Sequence, residues 1–302
     1  MERNLIGREQ EALGAQHVPG QTTTNPSSET SRMRASDIHA HWQDWAVRYG
    51  TDLRATTIAS SIKRLEIAAL HRAIERVVLP SSEASILEIG CGNGQNLVAL
   101  AKIFADQSCD WAGVDYVPQM IEAANRNVDD AGLSDRVRLL VGDVLALDRL
   151  NGVDDRQYDV VFTDRLIINL DTIDKQISAI DGLSRRVRKG GALIMIENSR
   201  QTKDAQNDLR EALGLPRRRD ADFNLFLDDQ VIVPHLRSVF TSVEIEDFGS
   251  LHDIVLYALL PHAMGSEFHY EHPIMKSLAD LCSRIPIPCG SYGQNRLYFC
   301  RR

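Results

Sequence analysis

The sequence predicts an α/β protein built on one mostly parallel seven-stranded sheet flanked by helices. Three observations carry this. Short apolar runs read as parallel strands buried on both faces. Several of them end in a carboxylate: Glu88, Asp115, Asp143, Asp164 and Glu197. Between the first run and the helix after it stands Gly90-Cys91-Gly92-Asn93-Gly94. Glycines at such a turn let the backbone approach a ligand and present amides at a helix N-terminus.

Each element follows in order. Ile86 to Ile89 is the first strand, and Asn96 to Ala101 the helix after it. Gln95 stands where a dinucleotide fingerprint needs its third glycine, and Glu88 is a poor neighbour for a pyrophosphate. A carboxylate there suits a ligand carrying positive charge. Asp110 to Asp115 is the second strand, its acid 27 residues after Glu88; an acid in that place commonly accepts from ribose hydroxyls. Val137 to Val144 and Tyr158 to Asp164 are the third and fourth strands. Leu183 to Gly191 leads into a fifth, Ala192 to Glu197, and Ser242 to Asp247 and Arg296 to Cys300 complete the sheet.

Ahead of the sheet, residues 1 to 34 read as a flexible arm around a polar stretch, Gly20 to Ser28, with Asn4 to Leu13 a short helix or part of the same disorder. Residues 35 to 80 read as a helical cap. Trp42, Trp45, Ala46 and Tyr49 mark one helix that Gly50 stops; Ile67, Leu70, Ile74 and Val77 stripe a second that Pro80 ends. Residues 81 to 302 form the main domain. Its segments 198 to 235 and 249 to 292 add to the ligand side, the latter as a helical insert before the last strand.

The glycine turn, the second-strand acid, Gly142-Asp143, Tyr158-Asp159-Val160-Val161 and the Lys189-Gly190-Gly191 approach recur in order. Together they resemble the class I S-adenosylmethionine-dependent methyltransferases, of Rossmann-like fold, over roughly Ile86 to Glu197. The resemblance implies a role for each matching position. Gly90, Gly92 and Gly94 would pass under the methionine part of the cofactor, with Glu88 and Asn96 orienting that region. Asp115 would hold the ribose and Tyr116 lie against the adenine, which Asp143 and Val144 would face. Asp164 would stand where the methyl group leaves, and Tyr49 of the cap would close over the cofactor. The stretch from Glu197 to Phe226 is similar to bacterial methyltransferases of surface-sugar or specialised-metabolite pathways.

Composition narrows the partners. The 302 residues carry a net charge of −8, against a broad nucleic-acid surface. The fourth strand runs Thr163-Asp164-Arg165-Leu166, not the Asn/Asp-Pro-Pro-Tyr/Phe type that methylates nucleobases. No apolar run approaches a membrane span, and no export signal opens the chain. Five scattered cysteines make no disulfide framework, so a cytoplasmic setting is expected. His262, His269 and His272 lack metal-ligand spacing, and no metal is expected. Two-fold association is the default for oligomers, so a homodimer is expected.

The acceptor side stays open at this level. Asp164 with Glu197 would serve an alcohol as general base, or grip an ammonium or guanidinium. His252, beside Asp253, is a second candidate base. Arg165 or Arg210 would anchor a substrate carboxylate or phosphate, with Asn169 and Asn198 at neighbouring strand ends. The leading expectation is methyl transfer to nitrogen or oxygen of a small polar metabolite, for example an amino-acid, guanidino or amino compound. A sugar hydroxyl is the alternative. A nicotinamide-dependent oxidoreductase and a non-catalytic cofactor-binding protein are the competing classes.

Overall fold

A computed structural model describes residues 33–57, 59–79, 83–153, 155–285, 287 and 289–302. The expectations of a flexible arm, of a helix at Asn4 to Leu13 and of Pro80 as a helix stop lie outside these residues. The cap consists of α1 (Ala35–Tyr49), a short turn Leu53–Ala55, and α2 (Ser60–Val78). The sheet follows: β1 (Glu83–Ile89), α3 (Gln95–Ile103), β2 (Ser108–Asp115), α4 (Pro118–Asp130), β3 (Val137–Val141), β4 (Tyr158–Asp164), α5 (Ile173–Arg186) and β5 (Val187–Asn198). Beyond it come α6 (Arg200–Ala212), α7 (Asp229–Val239) and β6 (Ser242–Glu246). The insert is α8 (Ser250–Ile254), a π-helical turn (Val255–Leu259), α9 (Leu260–Met264) and α10 (Pro273–Arg284), and β7 (Asn295–Arg301) closes the sheet.

The strand order is β3-β2-β1-β4-β5-β7-β6. All neighbours are parallel except β7, which runs antiparallel to both β5 and β6. Alternate residues feed opposite faces, as the two-residue strand period requires. Ile86, Phe162, Ile194 and Ile196 pack with α2 and α3 on one face. Leu87, Val161, Leu193 and Met195 pack with α5 and α7 on the other. The order reverses direction between β1 and β4, and an open sheet of this kind binds its ligands at the carboxyl edge beside that point.

The expected seven strands, cap and insert are all present. α7 lay hidden in sequence because Pro234 stands inside it, and an internal proline reads as a helix break.

Candidate active site

β1 ends at Ile89, and the chain turns sharply into α3. Gly92 holds φ +52°, and a Cβ there would stand 2.7 Å from Thr56 Cγ2. Glycine is therefore required twice over, by backbone conformation and by the cap lying against the turn. Gly90 and Gly94 share the positive φ, and Gly94 caps α3. The Gly90 and Cys91 amides donate to Val114 O at 2.7 and 3.0 Å, tying the turn to β2. Asp115 braces it further: Oδ2 accepts from Gly92 N at 2.8 Å and Oδ1 from Val117 N at 2.9 Å. Burial pushes the Asp115 carboxyl up to about 6. Asn93 donates to Gly50 O and Asp52 O at 2.9 and 2.8 Å, so the cap is fastened to this turn.

Between turn, cap and insert lies a cavity of about 260 Å³. Gly90, Gly92, Asn96, Asp115, Tyr116, Asp143 and Val144 line it. Gly94 and Glu88 stand behind this wall. Glu88 is 1% exposed and accepts from Asn96 Nδ2 at 2.8 Å through Oε1, while its buried Oε2 has no hydrogen-bond partner. Burial raises its carboxyl to about 8. Folding thus favours the protonated acid. Its contribution to stability is complete below the ordinary value of 4.5 and is lost as pH rises through about 8. Glu88→Gln is expected to flatten the fall in melting temperature across that window, and equal slopes for both proteins would refute it.

The deepest part of the cavity holds a charge network that the sequence reading missed. Lys63 of α2 donates from Nζ to Asp164 Oδ2 (2.5 Å) and Asn96 Oδ1 (3.2 Å) and forms an ion pair with Glu66 Oε2 at 2.7 Å. Asn96 in turn donates to Asp164 Oδ2 at 3.0 Å. Arg165 Nε lies 3.0 Å from Glu66 Oε1, which also accepts from Asn295 Nδ2 at 2.7 Å. Burial alone would raise the Asp164 carboxyl, but the Lys63 and Arg165 cations hold it below its ordinary range. Burial raises Glu66 despite the same two cations. A signal was present in sequence: Lys63 and Glu66 fall seven and four residues before Leu70, on the extension of the buried stripe of α2.

Several candidate residues have other work. Glu197 is 0% exposed and off the cavity wall. Its Oε1 accepts from Thr163 Oγ1 (2.9 Å), Leu166 N (3.2 Å) and Ile167 N (3.0 Å), and Oε2 from Ile168 N (3.3 Å). The expected Asp164–Glu197 clamp therefore does not form; the carboxylate is consumed in anchoring the loop after β4. Burial raises it to about 7. Glu197→Gln replaces one acceptor oxygen by a donor facing backbone N–H. It is expected to cost about 1–3 kcal/mol of stability, read by thermal denaturation, whereas a substrate-gripping residue would raise KM and leave the melt unchanged.

His252 is likewise sealed at 0% exposure, between Asp253 Oδ1 (2.8 Å) and Ser61 Oγ (3.0 Å). It joins insert to cap and does not reach the cavity, so it is corrected from base to brace. Arg210 donates to Pro216 O at 2.9 Å and to Tyr257 O, which fixes the π-helical turn; it anchors no substrate anion. Tyr49 packs on Trp45, their ring centroids 4.9 Å apart, in the cluster with Val117 and Met120. Trp42 of the same helix lines the cavity in its place.

Arg165, Asn169 and Asn198 do line the cavity. Arg165 carries φ +56°, rare outside glycine, and donates to Thr56 O at 3.1 Å. Asn169 donates to Arg165 O at 2.8 Å, and Asn198 donates to Asn295 Oδ1. Phe223, Asn224, Arg218, Asp253, Tyr257, Tyr270 and Gln294 complete that side. Among the described residues no group of His, Cys, Asp or Glu is arranged to hold a metal ion, and no helix is long and apolar enough to cross a membrane.

Comparison with known proteins agrees with this geometry. Residues 80–243, over half of the chain, match the family model described as a methyltransferase domain. The chain is 26% identical over 148 residues to sterol 4-C-methyltransferase of Caenorhabditis elegans, covering 48% of this chain and 40% of that one. It is 30% identical over 140 residues to human EEF1A lysine methyltransferase 2, covering 44% and 55%. The chain thus spans about half or less of the curated relatives it matches. Among solved structures, the plantazolicin methyltransferase BamL, in complex with a triazolic desmethylPZN analog and S-adenosylhomocysteine, aligns with TM-score 0.52 at 16% identity over 88% of this chain and 95% of that one. The N-methyltransferase NodS of Bradyrhizobium japonicum, bound to S-adenosylhomocysteine, aligns with TM-score 0.50 at 12% identity over 88% and 98%. At these identities the likeness is one of fold.

Proposed function

Because the chain belongs to the methyltransferase-domain family, whose methyl donor is S-adenosylmethionine, we propose that this enzyme methylates a nitrogen of a small polar metabolite. Asp115, Tyr116, Asp143 and Val144 would hold the nucleoside, and the Gly90–Gly94 turn, backed by Glu88 and Asn96, the methionine end. The residues fit such a ligand: a buried carboxylate ends β2 and an aromatic ring follows it. The cofactor supplies a methyl group already made electrophilic by its sulfonium. The protein's task is then to place a lone pair and exclude water.

One observation carries the choice of nitrogen: the carboxylates on the acceptor side of the cavity are each tied to a cation or donor through at least one oxygen. Asp164 is bound by Lys63 and Asn96, Asp253 by His252 and the Gln294 amide, and Asp171 by Lys175 at 2.6 Å. Burial pushes Tyr257 up and away from use as a base near neutrality. A hydroxyl acceptor needs its proton removed during attack, whereas an amine can give up its ammonium proton to solvent before binding and then offers its lone pair directly. A guanidinium clamped by two carboxylates loses its support with Glu197 out of reach. Incubating the enzyme with isotopically labelled methyl donor and metabolite fractions, then assigning products by NMR, tests this. N-methyl products are expected, and predominantly O-methyl products would overturn the reading.

We also propose a homodimer in a reducing, cytoplasmic setting. All five cysteines are free thiols, four of them buried. Ile274 and Leu281, 49% and 46% exposed, are spaced to share one side of α10, and Ile285 just beyond its end is 61% exposed. Light scattering is expected to give twice the chain mass, and a monomer at working concentration would refute it.

A further inference from the structure

Arg165 holds a backbone conformation that its own side chain does not favour. Among the described residues it is the one non-glycine residue with positive φ, at +56°, a region that long side chains rarely enter. Its surroundings enforce it. Arg165 N donates to Ile196 O at 2.7 Å, Asn169 Nδ2 donates to Arg165 O at 2.8 Å, and the next amide, Leu166 N, donates to Glu197 Oε1 at 3.2 Å. An outlier held in place this firmly points to a use for the side chain that it redirects.

β4 shows what is redirected. Side chains alternate along a strand: Phe162 and Asp164 face α2, whereas Val161 packs on the other face and Thr163 donates to Glu197. Continued alternation would send Arg165 with Val161 and Thr163. The left-handed turn sends it to the cap instead. There Nε forms an ion pair with Glu66 Oε1 at 3.0 Å, and Nη2 donates to Thr56 O at 3.1 Å. A guanidinium fork can serve a carboxylate with one arm and a carbonyl with another.

Thr56 belongs to a strap, residues 50–57, that lies between α1 and α2. Thr56 and Thr57 line the cavity, and Thr56 Cγ2 is set against Gly92. One end of the strap is tied beside the start of α3, where Asn93 donates to Gly50 O and Asp52 O and Gln95 donates to Thr51 O at 3.0 Å. Arg165 ties the other end to β4. We propose that Arg165 is a positioning residue for methyl transfer, a latch that keeps this strap shut over the cofactor's methionine end. The inference rests on the cofactor placement proposed above and holds whichever atom is methylated. Glu66 is 0% exposed and the Arg165 side chain 23%, so the arm on the neutral Thr56 carbonyl is the one that opens. The cofactor enters and leaves when it does.

The test is the rate at which the full chain takes up and releases isotopically labelled S-adenosylmethionine, with release read by a chase of excess S-adenosylhomocysteine. In Arg165→Gly the left-handed backbone is occupied by a residue that favours it, and the latch is gone. Uptake and release are both expected to quicken about tenfold. The dissociation constant should change far less than either rate, because a latch shut with or without cofactor slows passage equally in both directions. Methylguanidine, supplying the lost fork between Glu66 Oε1 and Thr56 O, is expected to slow both rates again. Arg165→Lys keeps a cation beside Glu66 but lacks the planar fork. Its melt should match that of the parent protein while both rates still rise, and it decides the matter if Arg165→Gly shows no cooperative melt. Parent-like rates would overturn the latch. So would faster release with unchanged or slower uptake, the pattern of a lost cofactor contact. A parent protein that takes up no S-adenosylmethionine would instead sink the cofactor placement itself.

Discussion

Gly92→Val is expected to abolish binding of S-adenosylhomocysteine, and Asp115→Ala to weaken it thirtyfold or more, roughly 2–3 kcal/mol for a charge-assisted hydrogen-bond pair. The two substitutions act on one device. Gly92 sits at φ +52° with Thr56 Cγ2 only 2.7 Å from where a Cβ would stand. A β-branched residue there meets backbone strain and a steric clash together. The turn would have to move, and the cap loop with it. Asp115 accepts from the Gly92 amide, so its loss also removes one of the ties between the turn and β2. Asp115→Asn separates the effects: it keeps one acceptor oxygen for the turn but loses the charge offered to a ribose. Calorimetric titration reads all three. Retained affinity in Gly92→Val, with a melt like that of the parent protein, would show that the cofactor lies elsewhere.

The parts of the site that the sequence displayed are those built from backbone and from strand ends. A buried strand reads as an apolar run, and its carboxyl end is where an open sheet places chemistry, so Asp115, Asp143 and Asp164 were legible without knowledge of tertiary contacts. Glu197 shows the limit of that logic. It stands next to the end of β5 as Asp164 ends β4, yet its neighbours are the amides of Leu166, Ile167 and Ile168. Which way a strand-end carboxylate turns depends on a loop whose path no local pattern specifies. His252 and Arg210 failed for a related reason. Both are polar groups of the kind that catalysis uses, and both serve to satisfy buried partners between elements far apart in sequence. Lys63 and Glu66 were overlooked because a charged residue in a helix is normally solvated. Only their phase relative to Leu70 marked them as interior.

That interior lysine carries the second large effect. Lys63→Met is expected to destabilise the protein by about 3–5 kcal/mol, the usual cost of removing one member of a buried ion pair. Methionine keeps the volume of the stem, so the loss falls on charge: Asp164 and Glu66 would share a desolvated site with Arg165 as the remaining cation. Methyl transfer should fall as well, because Asp164 loses the contact that fixes its carboxylate beside Asn96. The sign of the pH dependence identifies the cause. In the parent protein Asp164 is held below its ordinary value of 3.8. Its stabilising contribution is therefore present above that value and lost as pH falls through the lower folded one. Without Lys63, burial dominates and the carboxyl rises, so its stabilisation disappears and the acidic limb of the activity profile moves toward neutrality. Adding Asp164→Asn to Lys63→Met removes the stranded charge. The double variant should recover part of the lost stability without recovering activity, a coupling that separate structural roles would not produce. Additive stability losses and an unshifted activity profile would show that Lys63 merely fills space between cap and sheet.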